Sequence, residues 1–129
     1  METTATGVVF IDGSIPCDEI GLLDEPVRLT LRDGAIVEMD GNAGAVAALE
    51  KLFADAGPKS RVLGEFGIGL NPKAELCGRM LEDEGRAGTI HFGFGSNATI
   101  GGENVVSFHL DFIFRNPTIT IDGEELKVW

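Results

Sequence analysis

Apolar and polar positions alternate in three short runs of the chain, and each run carries a metal-competent side chain on its less apolar face. In Ser107-Phe-His-Leu-Asp-Phe-Ile-Phe114, the residues Phe108, Leu110, Phe112 and Phe114 fall on one side of an expected strand. His109 and Asp111 fall on the other, because strand side chains two apart share a face. Around His91, the residues Ile90, Phe92 and Phe94 lie opposite; around Glu65, the same pattern puts Val62, Phe66 and Ile68 opposite.

The remaining pattern predicts the elements that join these strands. Gly7 to Ile11 reads as a strand, and Val27–Arg32 and Ala35–Met39 flank Asp33-Gly34, a pair that favours a type I′ hairpin turn. Asn42 is placed to cap a helix running to Ala56, with Val46, Leu49, Leu52 and Phe53 as its buried stripe and Gly57-Pro58 as its stop. Asn71-Pro72 starts a second expected helix, reaching Glu84, with Leu76, Cys77, Met80 and Leu81 on one face. Thr89 to Gly95 forms the His91 strand, and a Gly/Asn-rich loop from Ser96 to Asn104 precedes the His109 strand. A second Asp-Gly pair, Asp122-Gly123, closes a C-terminal hairpin. The expected fold is a single α+β domain over residues 1–129, with a mixed, largely antiparallel sheet and two helices. The strand–helix–strand unit from Glu65 to His91 would allow its two strands to pair in parallel.

Charge narrows the partners. With 10 basic against 21 acidic residues, the net charge of −11 argues against nucleic acid and against anionic membrane surfaces. Runs such as Leu81-Glu-Asp-Glu-Gly read as solvated surface. Two isolated cysteines, Cys17 and Cys77, suit reduced thiols in a cytoplasm, and Cys77 reads as a core residue on the second helix. No apolar run reaches membrane-spanning length, and the N-terminus lacks signal-peptide features.

The chemistry rests on Glu65, His91, His109 and Asp111. Two imidazoles with two carboxylates suit zinc, manganese, cobalt or iron(II), and no thiolate is needed. One metal bound by three of them would leave a position for water; two metals bridged by a carboxylate would activate water and polarise a carbonyl together. Other motifs are weaker. Gly93-Phe-Gly-Ser-Asn-Ala98 fits a dinucleotide pattern but lacks the helix it needs. Gly67-Ile-Gly69 before Asn71-Pro72 would let a helix N-terminus meet an anion, and no serine has a nucleophile-elbow context.

Taken in order, Gly64-Glu-Phe-Gly-Ile-Gly-Leu-Asn-Pro72, Gly88-Thr-Ile-His-Phe-Gly-Phe-Gly95 and Ser107-Phe-His-Leu-Asp111 resemble the C-terminal part of aminopeptidase T-type leucyl aminopeptidases. The resemblance implies a dinuclear metallopeptidase, with Glu65, His91, His109 and Asp111 as ligands of zinc, cobalt or manganese. It also implies a peptide substrate and a homodimer. This chain departs from that family: it has no tyrosine to match the family's tyrosine ligand, no upstream glutamate ligand, and Leu70 where threonine is usual. The expected hydrolase site is therefore incomplete. A related branch of the superfamily contains iron(II) ring-cleaving dioxygenases acting on dihydroxypyridines, whose two-histidine, one-carboxylate site His91, His109 and Asp111 would supply without a tyrosine. A non-catalytic assembly or binding domain is the third reading.

Overall fold

In the computed structural model, which describes residues 1–129, the N-terminal half is organised by its hairpin. Strand β1 (Gly7–Ile11) is followed by two-residue strands β2 (Ser14–Ile15) and β3 (Gly21–Leu22), which the sequence pattern does not announce. Strands β4 (Val27–Arg32) and β5 (Ala35–Gly41) meet at Asp33 (φ 50°) and Gly34 (φ 84°), the two positive values a type I′ turn requires. A β1-β4-β5 sheet results, and alternation along β4 buries Val27, Leu29 and Leu31 while Arg28 and Thr30 face outward.

Helix α1 (Ala43–Ala56) starts where Asn42 accepts the Ala45 N–H at 3.0 Å and stops at Gly57 (φ 87°). It buries Ala45, Leu49 and Phe53, with Val46 and Leu52 half-buried at the margin. After a 3₁₀ turn at Pro58–Arg61 come β6 (Leu63–Ile68), the short helix α2 (Met80–Asp83), β7 (Thr89–Gly95), β8 (His109–Arg115) and the hairpin β9 (Thr120–Ile121) and β10 (Glu124–Glu125). The second sheet has the order β3-β2-β8-β7-β6. One core of 16 buried residues joins the inner face of the first sheet, α1 and the apolar face of the second. Phe53 of α1 stacks on Phe112 of β8 with ring centroids 6.5 Å apart, and Phe112 meets Phe94 of β7 edge-on at 4.9 Å. The α+β class with two helices holds.

Three local expectations are corrected. Strands β6 and β7 pair antiparallel, from Leu63 opposite Phe94 to Ile68 opposite Ile90. The chain turns back at the same end of the sheet, where Gly69 N–H reaches the Thr89 carbonyl at 3.0 Å, so no crossover is needed. A bulge between Leu63 and Glu65 shifts the register by one. It is therefore Leu63, 3 % exposed, and not the half-buried Val62, that joins the core face.

The second helix spans only Met80–Asp83, not Asn71 to Glu84. Competing main-chain partners explain its length. Gly78 adopts φ 83°, and the fully buried Asp83 carboxylate accepts the N–H groups of Cys77 (2.7 Å) and Gly78 (2.9 Å) and the Ser14 hydroxyl (2.5 Å). Asn71 pairs its main chain with Gly85 and Ala87. Cys77 is consequently exposed, and no helical stripe buries it. No helix is long and apolar enough to cross a membrane.

Candidate metal centre

The face of the second sheet that turns away from the core carries the site. Register aligns Glu65, Gly93 and Asp111 in one row across β6, β7 and β8, and Gly67, His91 and Ile113 in the next. His109 stands opposite Gly95. The alternation read from the sequence thus puts all four expected residues on one face.

Glycine makes room for the rings. A Cβ on Gly67 would overlap the His91 imidazole, and a Cβ on Gly93 would come within 2.8 Å of both Glu65 Cβ and His109 Cε1. Each histidine ring therefore lies over a glycine of the neighbouring strand, which a larger residue would prevent.

Three ligand atoms, from Glu65, His109 and Asp111, lie within 4.8 Å of one another, a spacing that could hold a metal ion. His109 Nε2 is 3.2 Å from Asp111 Oδ1 and 3.4 Å from Glu65 Oε2. His91 stands outside this tight trio but touches it, its Nε2 being 3.5 Å from Glu65 Oε1. Asp111 is 2 % and His91 7 % exposed, whereas Glu65 and His109 are partly open to solvent.

A short bond to the main chain orients His109. Its Nδ1 lies 2.7 Å from the Ser96 carbonyl, so this nitrogen donates to the main chain, and in the protonated imidazole Nε2 carries the second proton toward the two carboxylates. The loop that presents Ser96 is pinned by two buried asparagines. Asn97 donates to the Gly64 carbonyl at 3.2 Å, and Asn104 donates to the Gly95 carbonyl at 2.7 Å. Asn97, in a glycosylation sequon by spacing, is 4 % exposed and structural. The buried His91 Nδ1 has no hydrogen-bond partner.

Electrostatics follow from this crowding of acids. The hydrogen bond with Asp111 raises the His109 pKa to about 9, against the opposing effect of burial, with the Ser96 carbonyl and Glu65 adding to the rise. Burial pushes the Asp111 carboxyl up, but the His109 bond and the charges of His91 and His109 bring it below its ordinary value.

Glu84 belongs to the same cluster. Its carboxyl is raised by burial and by a hydrogen bond with Asp111. In sequence Glu84 is one of three acids in a run that reads as solvated surface. Only the path of the chain after α2 brings it over the sheet, and no local signal marks it.

A small α+β domain with a carboxylate–imidazole site of metal-binding geometry is thus the class defined by fold and cluster. The family model of NicX, 2,5-dihydroxypyridine 5,6-dioxygenase, matches residues 1–128, and the chain belongs to that family. The fold is similar to the solved structure of a 2,5-dihydroxypyridine dioxygenase from Pseudomonas putida KT2440, with a TM-score of 0.81 at 22 % identity. The match covers 96 % of this chain and 39 % of that one, so this chain spans well under half the length of its solved relative. No curated protein matches.

These findings overturn the aminopeptidase T resemblance. The leucyl aminopeptidase activity, the hydrolase class and the peptide substrate go with it. The reason is chemical: a glutamate, a histidine and a His-x-Asp pair on adjacent strands form a donor set that serves hydrolytic and oxidative metals equally. The motifs identify a metal-competent face, not the reaction performed on it. The missing tyrosine was the feature that pointed to the dioxygenase branch.

Proposed function

We propose that this chain forms the metal-binding part of an iron(II)-dependent ring-cleaving dioxygenase whose substrate class is a dihydroxylated pyridine. The observation that carries this reading is the orientation of His109 Nε2 toward Asp111 and Glu65, with His91 against the second oxygen of Glu65, in a chain of the NicX family.

The residues fit such a metal. Imidazole and carboxylate donors without thiolate suit iron(II), and the raised pKa of His109 marks a position where the carboxylates attract positive charge. His91, His109 and Asp111 would hold the ion, with Glu65 beside them on the same face. Iron(II) bound there would supply the one-electron chemistry that ground-state dioxygen needs to react with an electron-rich ring. The chain's own groups do the positioning. The Ser96 carbonyl orients the His109 ring, and Gly67 and Gly93 admit the imidazoles. A cytoplasmic location and a homodimer stand with this proposal: both cysteines are free, and exposed Val8 and Phe10 on β1 offer apolar surface to a second copy.

The test is anaerobic loading of the metal-free protein with iron(II), followed by iron analysis and oxygen uptake with 2,5-dihydroxypyridine. About one iron per chain is expected, with uptake lost in His109→Ala. Less than about 0.1 equivalent of iron, or no uptake at full loading, would overturn the reading.

A further inference from the structure

A second polar concavity lies on the same sheet face as the metal-competent cluster and is built from different chemistry. Arg86, Arg115, Asn116 and Leu76 line a cavity of about 310 Å³. Arg115 shares its strand face with Asp111 four residues earlier, which sets their Cα atoms about 13 Å apart along β8. Main-chain register ties the lining residues together. Thr89 pairs with Arg115, the Thr89 hydroxyl holds the Arg86 carbonyl at 2.8 Å, and the Asn116 N–H donates to the Gly88 carbonyl at 2.9 Å.

The two guanidinium groups are uncompensated. In a chain of net charge −11, no carboxylate lies within the 4.0 Å of an ion pair from either, although Glu82, Asp83 and Glu84 stand just before Gly85-Arg86. Asp83 is turned toward Ser14 and Glu84 toward Asp111. Asp12 accepts the Arg115 backbone N–H at 2.8 Å and forms no ion pair with its guanidinium. Arg28 and Arg61 find acidic partners; Arg32 and Arg79 also lack one, but only Arg86 and Arg115 line a common concavity. Two like charges held around one concavity, beside a side-chain amide, match an oxyanion that takes paired N–H donors.

We propose that this concavity binds the oxyanion group of a small molecule, a carboxylate or a phosphate, at a site separate from the metal cluster. The inference does not depend on the dioxygenase reading, since it uses none of the metal-competent residues.

The experiment is NMR of the arginine Nε–Hε signals in the full chain, titrated with sodium succinate or with inorganic phosphate at ionic strength held constant with chloride. Saturable shifts of Arg86 and Arg115 are expected, with midpoints of about 1–10 mM, the range that two charge-assisted hydrogen bonds supply. Arg86→Gln and Arg115→Gln should each weaken binding about tenfold, while Arg32→Gln, on the other sheet, should leave it unchanged. The tighter of the two probes identifies the oxyanion class. Shifts that stay linear with both probes, or that persist in the doubly substituted protein, overturn the proposal.

Discussion

His109 and Asp111 stand two residues apart on β8, and the histidine Nε2 lies 3.2 Å from the aspartate Oδ1 while its Nδ1 is held by the Ser96 carbonyl. Both ring nitrogens are thus committed, one to the main chain and one to the cluster. Asp111→Asn removes the largest cause of the raised His109 pKa. We expect that pKa to fall from about 9 toward its ordinary value of about 6.5, read from the imidazole signals in an NMR titration. A His109 titration that stays near 9 in the variant would count against the pairing.

The same pair makes the stability of the metal-free protein depend on pH. His109 has a folded-state pKa above its unfolded value, so its contribution is fully present below about pH 6.5 and is lost as pH rises through about 9. Asp111 is shifted down, so its contribution is present above about pH 4 and is lost as pH falls through its lowered folded value. Thermal unfolding in chelator should show the melting temperature declining between pH 6.5 and 9, and His109→Gln should flatten that decline.

Metal uptake should be proton-linked. Binding at His109 Nε2 must displace the proton it holds below about pH 9. Apparent affinity should therefore rise about tenfold per pH unit over the range below that value. Titrations at pH 6.5, 7.5 and 8.5 with a fixed metal concentration check this, and a flat response would place the metal elsewhere.

Gly93→Ala should damage the site with little effect on secondary structure. The added methyl meets Glu65 Cβ and the His109 ring at 2.8 Å. We expect a loss of about 1–3 kcal/mol in stability, the usual cost of overpacking, and a larger loss of bound metal. Circular dichroism, thermal unfolding and metal analysis of one preparation separate these effects.

Asp83→Ala tests the loop above the sheet. Asp83 is fully buried and accepts the Ser14 hydroxyl and two main-chain N–H groups. Its removal leaves those donors unmatched and should cost about 2–4 kcal/mol, measured by denaturant unfolding. Because Glu84 follows directly, the variant should also loosen the Glu84–Asp111 contact and lower metal retention.

Much of the site was legible in the chain because strand alternation has a period of two and no competing reading. His91, His109, Asp111 and Glu65 each sit among large apolar neighbours, so their shared face followed from pattern. The first hairpin and the Asn42 cap were equally local, being set by Asp33-Gly34 and by one side chain. The residues from Asn71 to Glu84 have helical spacing, but only Met80–Asp83 is helical. A left-handed Gly78 and the long-range bonds of Asp83 to Ser14 outcompete a helix there. The Gly64 bulge moved Leu63 inward for a similar reason: main-chain register in a sheet is settled by the partner strand.

Short-range patterning by itself determined the α+β class and the shared face of Glu65, His91, His109 and Asp111, since each depends on residues a few positions apart. Only the tertiary structure decided that β6 and β7 run antiparallel, that Glu84 reaches Asp111, and that Arg86 and Arg115 meet at one concavity. These depend on where the chain returns after tens of residues. That return is governed by burial and by the matching of distant polar groups, which no local pattern encodes.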